Sequence, residues 1–248
     1  MFRNWNYDDA TERTSFEIHD VDLAIVNGMR RVAISEVPTL AFRGEPMDNA
    51  SITVHTNTGP LHNDFMVHRI GLIPIHFTSD EVDMEASLEK KFHLHVKNTS
   101  DNTIDVTSHD IKVEGEGMSK EHLRLFPANK ITKNPILITR LRKGEELEFT
   151  AQAVKSIGQE LATFSPVSMC TFSCMPDKAR VAADKTMSKL DKERAFVRNE
   201  FGEPTSFEFS LESENGLSAK YIVDKALSIL QDKISMVIAG LEPDAEKA

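Results

Sequence analysis

Two histidines and an aspartate close together in the sequence are the strongest candidates for direct chemistry. His62, Asp64 and His68 carry imidazole and carboxylate groups, which are good ligands for zinc or iron. On a helix, positions 64 and 68 share a face while position 62 points elsewhere, so a third ligand would have to come from a distant segment. A metal-dependent hydrolase is therefore kept only as the alternative function, and we predict no metal site.

The two cysteines are poor candidates for chemistry. Cys170 and Cys174 lie on a predicted strand, and their even spacing puts both thiols on one face about 13 Å apart, too far to close a tetrahedral metal site. We predict that both act as small buried hydrophobes. The sequence also lacks a phosphate-binding glycine loop, a serine nucleophile elbow, an HExxH motif and an aspartate cluster for catalytic magnesium. We therefore predict no catalytic residue and no cofactor.

The first forty residues predict a strand followed by a helix. Residues 15–19 alternate polar and apolar side chains, as a half-buried strand does. Asp20 and Asp22 then offer N-caps to a helix from 22 to about 36, which Pro38 must end because the residue before proline is pushed out of the α region. One side of this helix is apolar and is predicted to be buried: Ile25, Val26, Met29, Val32 and Ala33.

The candidate metal ligands fall on a second, shorter predicted helix. It runs from 61 to about 70, where Gly71 supplies a stop signal. We expect it to pack through Leu61, Phe65 and Ile70, which lie on one side.

Beyond this helix, alternating apolar residues predict a β-rich region, so the chain reads as an α+β protein. The alternation covers residues 92–96, 104–106, 111–113, 147–153 and 167–175. A charge-dense segment from 176 to 203 is predicted to be a solvated helix or a linker. A strand near 207–211 then precedes the strongest predicted helix, at 217–241.

This last helix carries apolar residues at the spacing of a paired helix. Its seam consists of Val223, Leu227, Leu230, Ile234, Val237 and Leu241. A second seam lies alongside it and makes the apolar face wider than one intramolecular neighbour usually covers: Ile222, Ala226, Ile229 and Met236. The helix is therefore either a core helix of its own domain or, as we prefer, half of an intermolecular helix pair.

Composition limits the classes of protein and partner. The chain has a formal net charge of −10, with 39 acidic against 29 basic residues, which disfavours dominant, direct binding of nucleic acid. No secretory signal and no apolar run of membrane-spanning length is visible. We expect an intracellular protein without a membrane partner.

Three runs of sequence resemble the alpha-like subunits of multisubunit DNA-directed RNA polymerases, in particular the larger archaeal and eukaryotic type. They are NGMRRVAISEVPT at 27–39, LHNDFMVHRIGLIPI at 61–75 and IGQELATFSP at 157–166. The resemblance implies a discontinuous dimerisation domain of helices on a sheet, formed by residues 1–47 and 167–248. A mostly β insert domain would occupy residues 48–166.

The resemblance also implies a function. The chain would be a non-catalytic subunit that heterodimerises with a smaller alpha-like subunit and nucleates assembly of the large catalytic subunits. The predicted dimer interface combines both apolar helices: Ile25, Met29, Val32, Val223, Leu227, Leu230, Ile234 and Val237.

Contact with a large subunit is predicted for four basic residues: Arg30, Arg31, His68 and Arg69. Their alternative roles are local. The two arginines would be solvated or would bridge to Glu36, and the other pair would fix the second helix against the insert sheet.

The chain departs from the family pattern in several places. The missing C-terminal domain favours the archaeal, eukaryotic or viral type, half of a heterodimer that would act in a nucleus, a cytoplasm, a viral factory or a virion, and the other departures imply a divergent member. Only residues 242–248 follow the last helix, where the bacterial alpha subunit carries a DNA-binding domain. The segment 78–91 lacks the cysteines of a metal loop, Leu161 replaces a usual histidine, and Asn63 stands where an acidic residue is common.

Overall fold

The chain folds into two compact units of mixed helix and sheet, which confirms the α+β prediction. The computed structural model describes residues 1–9, 11–84, 90–114, 121–130, 132–183 and 186–241. The first unit combines Met1–Val37 and Pro166–Glu214 with the chain from Ser218 onward. The second unit consists of Pro38–Ser165 together with Asn215–Leu217.

The first unit is built on an antiparallel sheet that joins distant parts of the sequence. Its strands are β1 (Phe2–Asp8), β2 (Arg13–His19), β10 (Val167–Cys174) and β11 (Ser206–Ser213), in the spatial order β1-β2-β11-β10. Phe16 of β2 lies opposite Phe209 of β11, and their rings stack with centroids 5.1 Å apart. The aromatic side chains of the central strands thus form the core of this unit.

The helices of the first unit follow from the sequence signals described above. They are α1 (Leu23–Ser35), α5 (Lys178–Ala183), α6 (Lys189–Arg194) and α7 (Ala219–Leu241). The predictions of the strand at 15–19 and of the helices at 22–36 and 217–241 are confirmed. The charged segment 176–203 contains two short helices and isolated bridges that join Pro176 to Phe196 and Arg198 to Pro204.

The second unit is mostly β structure. Its strands are β3 (Thr39–Phe42), β4 (Ile52–Asn57), β5 (Lys91–Lys97), β6 (Ile104–Thr107), β7 (Lys112–Val113), β8 (Leu137–Leu141) and β9 (Glu146–Ser156). The long β9 pairs with β3, β4 and β5, while β6 pairs with β8 in a separate ribbon. Its helices are α2 (Asn63–Gly71), α3 (Ser79–Asp83) and α4 (Glu121–Leu125).

The observed division begins the second unit at Pro38, earlier than the predicted boundary at 47, because β3 pairs with β9. Of the cysteine-free segment 78–91, the structure describes α3 and residues 78, 84, 90 and 91, whereas 85–89 lie outside the described residues. The predicted short ending at 242–248 lies outside them as well.

The predicted packing of the second helix is wrong in one respect. Phe65 is 67% exposed, and the buried side chains of α2 are those of Met66, Val67 and Ile70. The helix begins only at Asn63, so Leu61 precedes it and does not set its buried face.

Glu81 is the centre of an ion network that connects α3 with α4. Its carboxylate accepts hydrogen bonds from Arg124 at 2.8 and 3.1 Å, from the Lys90 Nζ at 3.1 Å and from the backbone N–H of Thr78 at 2.9 Å. Burial by itself raises the pKa of this carboxyl, but the hydrogen bonds from Arg124, Thr78 and Lys90 outweigh burial and lower the pKa to about 2. The charged carboxylate therefore stabilises the folded second unit.

We expect Glu81→Gln to lower the free energy of unfolding at pH 7 by about 1–2 kcal/mol, since the carboxylate is partly screened by solvent. The stabilisation is fully present above the unfolded pKa near 4.5 and is lost as the pH falls towards 2. Denaturant titrations of both proteins from pH 7 down to pH 2.5 should therefore converge. A difference that stayed constant with pH would contradict this role.

Candidate partner interface

The first helix of the interface region is defined by its cap and by its buried side. The Asp22 carboxylate accepts a hydrogen bond of 2.8 Å from the backbone N–H of Ala24, which caps α1. The helix buries four apolar side chains inside the first unit: Val26, Met29, Val32 and Ala33. Ile25, which was predicted to be buried on the same side, is exposed near the start of the helix, and so is Leu23.

The first half of α7 is covered by its own chain. Ile222, Val223 and Ala226 are buried, and α7 packs against α1 and β11. Gly28 of α1 faces Leu230 of α7, since a Cβ atom at this position would lie 3.4 Å from Leu230 Cδ2, about van der Waals distance. Part of the predicted apolar seam is therefore a core contact within the first unit.

The second half of α7 is not covered. Every residue from 231 to 241 is exposed. Lys233 in this half forms an ion pair with Glu36, the residue that follows the end of α1. Apart from Met236, which points to the opposite side, four apolar residues in this half are 54–77% exposed: Ile234, Val237, Ile238 and Leu241. We call these four residues the α7 stripe.

The α7 stripe continues the buried seam of the first half. At 3.6 residues per turn, its four members fall within about 100° around the helix axis, on the side that carries Val223, Leu227 and Leu230. The α7 stripe is exposed because α7 is longer than α1, with 23 residues against 13. A rise of 1.5 Å per residue makes α7 about 15 Å longer than the helix that covers it.

The predicted dimer-interface residues divide into three groups by burial. Met29, Val32 and Val223 are buried within the chain and belong to its core. Leu227 and Leu230 are half-buried. Ile25, Ile234 and Val237 are exposed and available to a partner. The assignment of all eight residues to a dimer interface stays a prediction. The sequence analysis missed Ile238, although its position four residues after Ile234 was a usable signal.

The two adjacent arginines of α1 have different environments. Arg30 is half-buried, and its Nε donates a hydrogen bond of 3.1 Å to the Asn27 Oδ1. Arg31 is exposed, and the carboxylate of Glu36, one alternative partner for the arginines, pairs with Lys233. Arg31 is thus the better placed of the two for contact with another chain.

The other predicted contact pair lies on α2. Arg69 donates hydrogen bonds to the backbone carbonyls of Ile138 at 3.0 Å and Leu137 at 3.1 Å, which anchors α2 to β8. His68 is exposed and lies 3.9 Å from a carboxylate oxygen of Glu45. Arg69 therefore has a local structural role, whereas His68 is accessible.

The candidate metal ligands do not converge on one point. His62 Nδ1 lies 3.9 Å from the Asp64 carboxylate, both side chains are exposed, and His68 is instead beside Glu45. Within the described residues, no three histidine, cysteine, aspartate or glutamate side chains are grouped so that they could hold a metal ion. The geometry gives the hydrolase hypothesis no support.

The cysteines have the environment of packed hydrophobes. Both are free, Cys170 is buried and Cys174 is half-buried on β10. Burial raises the pKa of the Cys170 thiol to about 12, although Arg30 acts in the opposite direction. Burial also raises the pKa of Cys174. Neither thiol is activated as a nucleophile.

No helix in the described part of the chain is long and apolar enough to cross a bilayer.

Comparison with known proteins shows that the chain is similar to subunits of RNA polymerases. The family model described as the RNA polymerase Rpb3/Rpb11 dimerisation domain matches residues 15–234. The chain is 32% identical over 177 residues to DNA-directed RNA polymerases II, IV and V subunit 3 of Arabidopsis thaliana, which covers 65% of this chain and 53% of that protein. It is 31% identical over 186 residues to DNA-directed RNA polymerases I and III subunit RPAC1 of Homo sapiens, covering 65% and 51%.

A longer but weaker match covers most of the chain. DNA-directed RNA polymerase II subunit RPB3 of Schizosaccharomyces pombe is 26% identical over 259 residues, which covers 92% of this chain and 84% of that protein. By contrast, the matches to the Arabidopsis and human proteins span about half the length of those relatives.

Proposed function

The chain belongs to the RNA polymerase Rpb3/Rpb11 dimerisation-domain family, and from this premise we propose that it is a non-catalytic assembly subunit of a DNA-directed RNA polymerase. In this role it pairs with a smaller alpha-like subunit, and the pair then captures the large catalytic subunits. The first unit acts as the dimerisation domain and the second as the insert. Catalysis belongs to the large subunits, and the chain itself needs no cofactor.

The exposed α7 stripe is the observation that carries this proposal. Burying one Leu or Ile side chain contributes about 1.5–3 kcal/mol, so covering four such residues would contribute several kcal/mol to association. The stripe is contiguous with a helix pair that is already packed, so a partner helix extends an existing core. Exposed Ile25 on α1 adds to the apolar area.

The test is co-expression of the chain with the smaller alpha-like subunit of the same organism. We expect a 1:1 pair by mass measurement in solution, and self-association or poor solubility of the chain alone. A stable monomer that gains nothing from the smaller subunit would refute the proposal. A symmetric dimer of this chain alone would show instead that it is a homodimeric scaffold.

Contact with a large subunit is assigned to Arg30, Arg31, His68 and Arg69. Arginine suits this role because its guanidinium can bind carboxylates through two parallel hydrogen bonds. Arg31, His68 and Arg69 are all exposed, but Arg69 is engaged with the carbonyls of β8. Arg31 and His68 are therefore favoured for direct contact, while Arg30 and Arg69 hold their surroundings in place.

We expect Arg31→Ala to leave the heterodimer intact but to reduce recovery of the large subunits about tenfold or more, because a charged interface contact truncated on one side costs about 2 kcal/mol or more. The measurement is co-purification through a tag on the smaller subunit. Arg180→Ala is the matched control, since Arg180 is an exposed arginine of the same unit on α5. Equal recovery with both variants would count against the assignment.

The proposed place of action is the nucleus, because the cited relatives come from Arabidopsis thaliana, Homo sapiens and Schizosaccharomyces pombe. These relatives lend no support to a viral assignment. The net charge of −10 supports partnership with proteins over direct, dominant contact with nucleic acid.

A further inference from the structure

A hairpin at the end of the charged segment is closed by several hydrogen bonds and presents one phenylalanine to solvent. The backbone N–H groups of Phe201 and Glu203 donate hydrogen bonds to the Asn199 Oδ1 at 3.0 and 2.8 Å. Backbone bonds between Asn199 and Glu203, and from the Gly202 N–H to the Asn199 carbonyl, close the turn. Gly202 takes the positive φ of 82° that this geometry needs. We call residues 197–205 the Phe201 hairpin.

Phe201 itself has no place in the core. Its side chain is 88% exposed, the highest value among the large apolar residues of the described chain. Because the turn beneath it is already ordered, little conformational entropy would be lost when Phe201 enters a pocket on another protein. A pre-organised, exposed aromatic residue has the properties of a binding hot spot.

The base of the Phe201 hairpin forms one wall of a cleft in the first unit. The cleft has a volume of about 650 Å³, and Asn199, Glu203 and Pro204 face it together with residues 20–24. Three carboxylates line it, those of Asp20, Asp22 and Glu203, and no lysine, arginine or histidine is among its described lining residues. Val21, Leu23 and Pro204 add apolar surface.

We propose that the Phe201 hairpin and this cleft form a second docking surface, for a basic polypeptide segment of another polymerase subunit. Lysine or arginine side chains of that segment would pair with Asp20, Asp22 and Glu203, while an apolar pocket of the same subunit receives Phe201. The carboxylates would repel the phosphates of a nucleic acid, which favours a protein occupant. The inference rests on the proposed polymerase function, but it concerns a surface separate from the α7 stripe.

Site-specific photo-cross-linking tests the surface in the assembled enzyme. p-Benzoylphenylalanine replaces Phe201 in the full chain, and the polymerase is purified through a tag on this chain and irradiated. We expect a cross-link to a lysine- or arginine-rich peptide of another polymerase subunit. The control position is Leu190 of α6, which is 62% exposed but does not line the cleft, and should give at most a tenth of the product.

Two variants then test the contribution of each part. Phe201→Ala and Glu203→Lys should each weaken binding of the cross-linked subunit to the purified heterodimer about tenfold, and Leu190→Ala less than twofold. Glu203→Lys should also reduce the salt dependence of binding, because one attractive charge pair is lost.

Each result has one reading. No cross-link to another chain, a cross-link to an acidic peptide, or unchanged binding by both variants would overturn the docking surface while leaving the heterodimer standing. If no polymerase subunit co-purifies with the unmodified chain, the proposed function fails, and the docking surface fails with it.

Discussion

An Ile234→Asp, Val237→Asp double variant is expected to remain folded and to lose its pairing with the smaller subunit. Both side chains are more than half exposed, so replacing them removes little internal packing. In the pair, two carboxylates would be buried against apolar side chains, and each unpaired buried charge costs several kcal/mol. We expect the dissociation constant to rise at least about a hundredfold, which corresponds to roughly 3 kcal/mol.

The control for this variant is Ser235→Asp, which adds the same carboxylate to the exposed half of α7 about 100° around the helix from Ile234. Calorimetric titration with the smaller subunit measures the affinity, and thermal unfolding of the isolated chain checks the fold. Pairing that survives in the double variant would show that the α7 stripe is not the interface. Leu230→Asp is a weaker test, because Leu230 is half-buried and contacts α1 near Gly28.

Gly71→Ala is expected to destabilise the second unit by about 1–3 kcal/mol, a typical cost of overpacking. Gly71 is the last residue of α2, and an added Cβ would lie 3.1 Å from both the Cα and the backbone N of Gly44. The atoms in the way belong to the backbone, so no side-chain rotation can relieve the contact. The glycine in the HRIGLIP run thus allows α2 to lie directly against the loop that follows β3.

Gly240→Ala provides the matched control, because it is the same substitution in a helix with no neighbouring atom within 4 Å of the new Cβ. There we expect an increase in stability of up to about 1 kcal/mol from helix propensity. Denaturant unfolding measures both effects, and hydrogen exchange should assign the lost protection in Gly71→Ala to α2 and to residues 42–46. Equal stability of the two variants would contradict the close packing.

The elements with strong periodicity were predictable from the sequence. The helices α1 and α7 and the strand β5 follow 3.6-residue or two-residue patterns over their full length. The edge strand β1 was missed, because its exposed side chains give no alternation and Asn4 interrupts it with a positive φ of 54°. The strand β8 was missed as well, because buried and exposed side chains do not alternate along it. Its pairing with β6 is visible only in the folded structure.

The sequence predicted that the candidate interface is an apolar helix face, but not how much of that face is exposed. Its apolar seam was visible in the sequence, but the seam alone does not show where intramolecular cover ends. That limit depends on where along α7 the shorter α1 packs, which is a property of the folded structure. For the same reason Met29, Val32 and Val223 could not be distinguished from exposed Ile234 before the fold was known.

The pairing of β2 with β11 has a consequence for synthesis. His19 and Ser206 are 187 positions apart, so β2 leaves the ribosome long before its neighbour exists. At about 5–20 residues per second, this interval lasts roughly 10–40 s, during which β2 has its neighbour β1 but lacks β11, and Phe16 lacks its stacking partner Phe209. We expect chaperones to bind the nascent chain in this period. In the proposed pairing, the smaller subunit can bind only after β11 and α7 have been synthesised, because β11 completes the sheet and packs against α7.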